Sequence, residues 1–166
     1  MRTGTVLVVD DEKAVRAALQ HVLTQHGYTV ATAASAEEAL ELLHKLPVQV
    51  IISDQHMGGG GLSGVDLLKV VRVRHPRVVR ILLTGDQDPE VPVRSINESE
   101  VYRFIRKPWN NADLRTIVSF AFEVAWLEQE KHDLVLRMRN ERAPKDDPAG
   151  VEAELLRLAE DEIDDE

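Results

Sequence analysis

Apolar and polar positions alternate along the first 125 residues in two rhythms. Short apolar runs rich in β-branched residues have the length and composition of strands: "TVLVVD" (5–10), "YTVATA" (28–33), "VQVIIS" (48–53), "VVRILLT" (78–84) and "VYRFI" (101–105). Between them lie segments whose apolar residues recur three and four apart. Residues 12–25 place Val15, Ala18, Leu19, Val22 and Leu23 on one helical face, with Gly27 as a stop. Ser35 and Glu38 form the capping box of a second helix, which runs through Leu46 and ends before Pro47. Residues 63–74 read as a third. In "DQDPEVPVRSINESE" a proline interrupts any helix begun at Pro89, so only a short helix starting near Pro92 is expected.

The last helix is long, from Asn111 to about Arg142 without proline or glycine. Ile117, Phe120, Val124, Leu127, Lys131, Leu134 and Met138 fall at alternating steps of three and four, an a/d heptad pattern. The early positions are expected to pack on the sheet, leaving Leu127 onward for a coiled coil that dimerises the chain through residues 117–138. This gives three segments: a domain over 1–125, a helical extension over 126–142, and a linker with an acidic tail over 143–166. The alternative for the extension is a helix folded back on its own domain. Charge supports the partition. Of the net −9, nearly all sits in residues 143–166, so the acidity belongs to the tail. Residues 151–163 put Val151, Leu155, Leu158, Ala159 and Ile163 near one helical face, which suits either a docking peptide or a solvated appendage. There is no cysteine, which excludes disulfides and thiolate chemistry. No secretory or membrane-spanning run is present, so a cytoplasmic protein is expected, with no membrane partner. Residues 126–166 are too short and acidic for a DNA-binding module, so no nucleic-acid partner is expected. Arg72, Arg74, Arg77 and Arg80 with His75 surround a turn and read as a solvated basic face.

Strands alternating with helices predict an α/β fold with a doubly wound, five-stranded parallel sheet, flavodoxin-like if the order is 2-1-3-4-5. Ligands of such sheets bind beyond the carboxyl ends of the strands, where the order reverses. Strand one ends in Asp10 and Asp11, strand three in Asp54 and strand four in Thr84, while Lys107 follows strand five. Three carboxylates brought that close raise one another's pKa, and a hard divalent cation such as Mg²⁺ relieves the conflict. A carboxylate there can also attack phosphorus to give an aspartyl phosphate, with Lys107 and the Thr84 hydroxyl serving the added oxygens.

These residues resemble those of a response regulator receiver domain, the phosphoacceptor module of two-component signalling, over residues 5 to about 125. The resemblance rests on the acid pair in "VVDDE", Asp54 in "IISDQHM", Thr84 in "LLTGD" and Lys107-Pro108 in "FIRKPW". It implies Mg²⁺ held by Asp10 or Asp11, by Asp54 and by the backbone carbonyl of Gln55. It implies Asp54 as phosphoacceptor, Thr84 and Lys107 as phosphate partners, Thr84 and Phe104 as switch residues, and a cis bond before Pro108. His56 and Asp86, two residues past Asp54 and Thr84, take positions that flank the phosphoryl group and would modulate its lifetime. The implied partners are a sensor histidine kinase or phosphotransfer protein and a downstream protein target, with no output enzyme on this chain. The string "INESEVYRFIRKPWNNADL" also resembles receivers that precede cyclic-di-GMP phosphodiesterases, so the alternative is a fragment of a longer multidomain enzyme.

The loop after Asp54 departs from the family pattern. Gly58 stands where proline is usual, Leu62 where glycine is usual, and the glycine arrives at Gly64, two residues late. Gly85 replaces the usual alanine after the threonine. How rigidly the loop is held is therefore in question. Gly59, Gly61 and Gly64, with Asp86 downstream, also spell a dinucleotide-binding fingerprint. That reading fails on chemistry, because Asp54, Gln55, His56 and Met57 intervene between the strand and the glycines and the Asp54 carboxylate at the mouth repels a pyrophosphate.

Overall fold

The computed structural model describes residues 3–85, 97 and 101–142. The expected helix near Pro92, Asp86, and the linker and tail from 143 lie outside these residues. The elements run β1 (Thr5–Val9), α1 (Lys13–Gln25), β2 (Thr29–Ala33), α2 (Ala36–Lys45), β3 (Val50–Asp54), α3 (Gly64–Arg74), β4 (Val79–Thr84), β5 (Arg103–Arg106) and α4 (Asn111–Arg142). All neighbouring strands pair in parallel, in the order β2-β1-β3-β4-β5. The chain divides into two units, Met1–Gln129 and Glu130–Glu166. Among the described residues no helix is long and apolar enough to cross a membrane.

Because side chains alternate across a strand, the apolar runs supply two cores at once. Val6, Val8, Val50, Ile52, Ile81 and Leu83 pack against α1 and the first part of α4. Leu7, Val9, Ile51 and Leu82 pack on the opposite face against α2 and α3. Strands β1 and β3 are thus buried on both sides, which is why they read as continuous apolar runs.

The helix ends follow the expected local chemistry. Glu38 N–H donates to Ser35 Oγ (3.2 Å), and Glu38 Oε2 reaches back to Ala34 N–H (3.0 Å), one residue before the cap itself. At the end of α1, Gly27 takes a left-handed φ of 89° and Tyr28 N–H donates to Leu23 O (3.2 Å).

Two expectations are corrected. Arg80 is not part of a solvated face: it is buried, and its guanidinium donates to Val78 O (2.9 Å). Phe120 does not pack on the sheet. The face of α4 that meets the core is Leu114, Val118, Ala121, Phe122 and Ala125, with Ile117 and Val124 half-buried beside it, whereas Phe120 is 60% exposed. A strict heptad reading put Phe120 one helical position away from the stripe that the sheet selects.

The loop after β3 is pinned where it re-enters the fold. Gly64 N–H donates to Gln55 O (3.1 Å), and Gln55 Oε1 accepts from Val65 N–H (3.0 Å), so Gln55 caps the helix that follows. Ser63 Oγ accepts from Asp66 N–H (3.1 Å) as the conventional N-cap. The late glycine is explained by contact: a methyl group on Gly64 would overlap the carbonyl oxygen of Asp54. The slack is absorbed upstream, where Gly59 and Gly60 adopt φ of 89° and 75°.

Gly64→Ala should therefore destabilise the protein by about 2 kcal/mol, since overlap with backbone cannot relax cheaply. Gly61→Ala, whose methyl would meet only the end of the Glu37 side chain, should stay within about 0.5 kcal/mol. Urea unfolding of the pair checks this, and equal losses would contradict it.

Candidate functional site

The carboxyl ends of the central strands carry the candidate residues. Asp10 follows β1, Asp54 and Thr84 close β3 and β4, and Lys107 follows β5. Asp10 and Asp54 are almost fully buried, at 0% and 4% exposure. The Lys107 ammonium lies between them, Nζ 3.1 Å from Asp10 Oδ2 and 3.0 Å from Asp54 Oδ1. The segment carrying the lysine is tied to β4 by Lys107 N–H donating to Thr84 O (2.7 Å), and the Lys107-Pro108 bond is cis as expected.

Burial holds the Asp10 carboxyl above its ordinary range, against the Glu12 backbone hydrogen bond and the Lys107 hydrogen bond and charge, which favour the ionised form. Desolvation pulls Lys107 the other way from its partners. The hydrogen bonds and charges of Asp54 and Asp10 together outweigh it and leave the ammonium more basic than usual. The backbone around Asp10 is fixed as well: Glu12 N–H donates to Asp10 Oδ1 (2.8 Å) and Arg16 Nη1 to Asp10 O (2.7 Å).

The residues present fit a hard divalent cation. Carboxylate oxygens of Asp10, Asp11 and Glu12 lie within 4.8 Å of one another, and Asp54 stands beside them across the same ammonium. All these donors are oxygen, and their negative charge exceeds what one lysine neutralises. Glu12 was not anticipated, because as the residue before α1 it reads as a helix start. The Gln55 carbonyl, implied as a ligand, already accepts from Gly64 N–H, so a metal would share that oxygen. A contact invisible in the sequence joins Asp11 to the glycine loop: Gly58 N–H donates to Asp11 Oδ2 (2.9 Å) across 47 positions of chain.

The remaining candidates stand further out. Thr84 is half-buried, His56 is exposed, and Phe104 is 44% exposed on β5. Phe104 pairs with Leu82, two residues before Thr84 on the neighbouring strand, so Phe104 and Thr84 share one face of the sheet.

Comparison with known proteins agrees with this geometry. The response regulator receiver domain family matches residues 6–119. The hydrogenase transcriptional regulatory protein HoxA of Cupriavidus necator is 42% identical over 138 residues, covering 83% of this chain and 28% of that protein. The receiver domain of an HD domain-containing protein from Pseudomonas fluorescens is 35% identical with a TM-score of 0.69, over 75% of this chain and 98% of that one. NtrX from Brucella abortus has a TM-score of 0.72 at 28% identity, over 80% and 30% of the two chains. The chain belongs to the response regulator receiver domain family, a part of two-component signalling whose members interact with a histidine kinase or another phosphodonor. It spans little more than a quarter of the length of the curated relatives it matches. HoxA and NtrX are regulators by name, so the alternative of a phosphodiesterase output draws no support from them.

With buried carboxylates on both sides of Lys107, Lys107→Met should cost about 2 kcal/mol of stability in EDTA, because it strands two charges. Asp10→Asn should be neutral or stabilising by about 1 kcal/mol, because it removes a buried charge. Urea melts without metal check this, and a loss for Asp10→Asn as large as that for Lys107→Met would contradict it.

Proposed function

We propose that this chain is a phosphorylation-switched signalling module with Asp54 as phosphoacceptor. The observation that carries the reading is the Lys107 ammonium held between the buried Asp10 and Asp54 carboxylates. An Asp54 oxygen attacks the phosphorus of a phosphohistidine on a sensor histidine kinase or phosphotransfer protein. The P–N bond breaks, the imidazole nitrogen keeps the electron pair and takes up a proton, and an acyl phosphate forms on Asp54. Asp10, Asp11 and Asp54, with a share of the Gln55 carbonyl, would hold Mg²⁺, which when bound supplies charge neutralisation for the phosphoryl oxygens. Lys107 moves from bridging two carboxylates to pairing with the phosphoryl group, and the Thr84 hydroxyl donates to it.

The same reading makes Thr84 and Phe104 the switch pair. Their common sheet face lets a shift of the hydroxyl alter the space available to the ring. His56, exposed two residues beyond Asp54, and Asp86 would set access of water to the acyl phosphate and hence its lifetime. Output passes through protein–protein contact with a downstream target, in the cytoplasm. Dimerisation by a coiled coil along α4 is supported by the exposure of Leu127 (58%), Leu134 (55%) and Met138 (47%), apolar residues that their own domain leaves in water. Ile117 and Val124 are already engaged by the core, so the seam proper starts near Leu127.

Incubation with acetyl phosphate and Mg²⁺ should add one phosphoryl group to the intact mass, and Asp54→Asn or EDTA should abolish it. Label that survives either treatment would overturn the assignment.

Sedimentation of the full chain at tens of micromolar should report a dimer. Leu127→Asp with Leu134→Asp should give a monomer, and Lys131→Leu should tighten association. A monomeric parent chain would refute the coiled coil while leaving the phosphoacceptor reading intact.

A further inference from the structure

The glycine loop and the acid cluster meet at one bond, between Gly58 N–H and Asp11 Oδ2 (2.9 Å). Asp11 is exposed, so its carboxylate would otherwise be free to sample several rotamers in water. Asp10 does not have that freedom, being buried and held by Glu12 N–H and Lys107. Among the described residues the side-chain anchor of Asp11 therefore comes from a loop that is itself fastened at its far end, where Gly64 closes on Asp54.

From this we infer that Gly58 is a positioning residue: its main-chain N–H orients the Asp11 carboxylate for the divalent cation, and cation binding in turn stiffens the glycine loop. The inference rests on the metal site of the proposed function. A carboxylate has about four acceptor positions, so Oδ2 can keep its hydrogen bond while the other oxygen turns to a cation. Ligating carboxylates in protein metal sites are commonly held by such outer donors, and losing one typically costs 10- to 100-fold in affinity. Both partners here are exposed, which points to the low end of that range. The role is particular to this chain, because the proline usual at this position in the family has no N–H to donate. Coupling runs in both directions by necessity: whatever the loop contributes to cation affinity, the cation returns as loop order. Gly59 and Gly60, which follow Gly58 in the loop, take left-handed conformations that other residues rarely adopt.

The test uses the full chain. Magnesium chloride is titrated calorimetrically, and exchange of the Gly58 amide proton is followed by NMR with and without the salt. Gly58→Pro should bind Mg²⁺ about tenfold more weakly. Gly58→Ala retains the N–H, and its methyl, 3.1 Å from Asp11 Oδ2, meets a side chain able to give way, so it should stay within about threefold of the parent. In the parent chain Mg²⁺ should slow Gly58 exchange at least about threefold, a readout that stands even if Gly58→Pro fails to fold. Absence of any magnesium heat from the parent chain overturns the metal site, and this inference with it. Normal magnesium binding with unchanged or faster Gly58 exchange, or with an unaffected Gly58→Pro, overturns this inference alone.

Discussion

Two carboxylates withdrawn from water, with a single ammonium between them, set the terms for the rest of the molecule. An unpaired carboxylate at the depth of Asp10 would be protonated or would destabilise the fold, and Lys107 is what lets Asp10 and Asp54 stay. One lysine cannot fully neutralise Asp10, Asp54 and the adjoining Asp11 and Glu12. On the proposed function, that residual negative charge would be the site's affinity for a cation and for a phosphoryl group that arrives with one. A site relaxed by full neutralisation would have no such capacity.

That tension is sustainable because backbone, not side-chain packing alone, fixes the groups. Asp54 ends a strand buried on both faces, and Asp10 directly follows its immediate neighbour in the sheet. Lys107 is attached to β4 by its own N–H donating to Thr84 O, which fixes the backbone from which the ammonium reaches the two carboxylates. The loop beyond Asp54 is fastened at its far end, where Gly64 and Val65 N–H groups donate to Gln55. Pre-set positions of this kind are what phosphoryl transfer asks of a protein, since little other covalent chemistry falls to it.

The strands, their order and the acids at their ends were legible in the sequence for a physical reason. A doubly buried strand must be an apolar run, and an acid that closes such a run is costly enough to signal a purpose. Less could be read where tertiary contact, not local pattern, decides. Arg80 looked solvated beside other arginines, yet its position on β4 buries it and gives it a carbonyl to bond. Phe120 fitted a heptad, but the core selects residues with the helix period of 3.6 rather than 3.5, and the two drift apart by about 20° per heptad. Gln55 as a helix cap and Gly58 as the anchor of Asp11 left no trace, because each bond spans a loop or 47 positions of chain.

The same difference in period separates the roles of α4. Leu114, Val118, Ala121, Phe122 and Ala125 recur with the helix period and are buried. Phe120, Leu127 and Leu134 recur at strict intervals of seven and are each more than half exposed. One stripe is therefore buried in the core, while the other is left largely exposed. Apolar side chains that a domain leaves in water weaken its solubility without stabilising its core. In the proposed coiled coil, their regular spacing would turn that liability into a contact surface suited to another helix of the same repeat. Lys131, on the a positions of this seam, lowers the strength such a contact can reach. An association held below its maximum strength can respond to a small change in the attached domain, whereas a saturated one cannot.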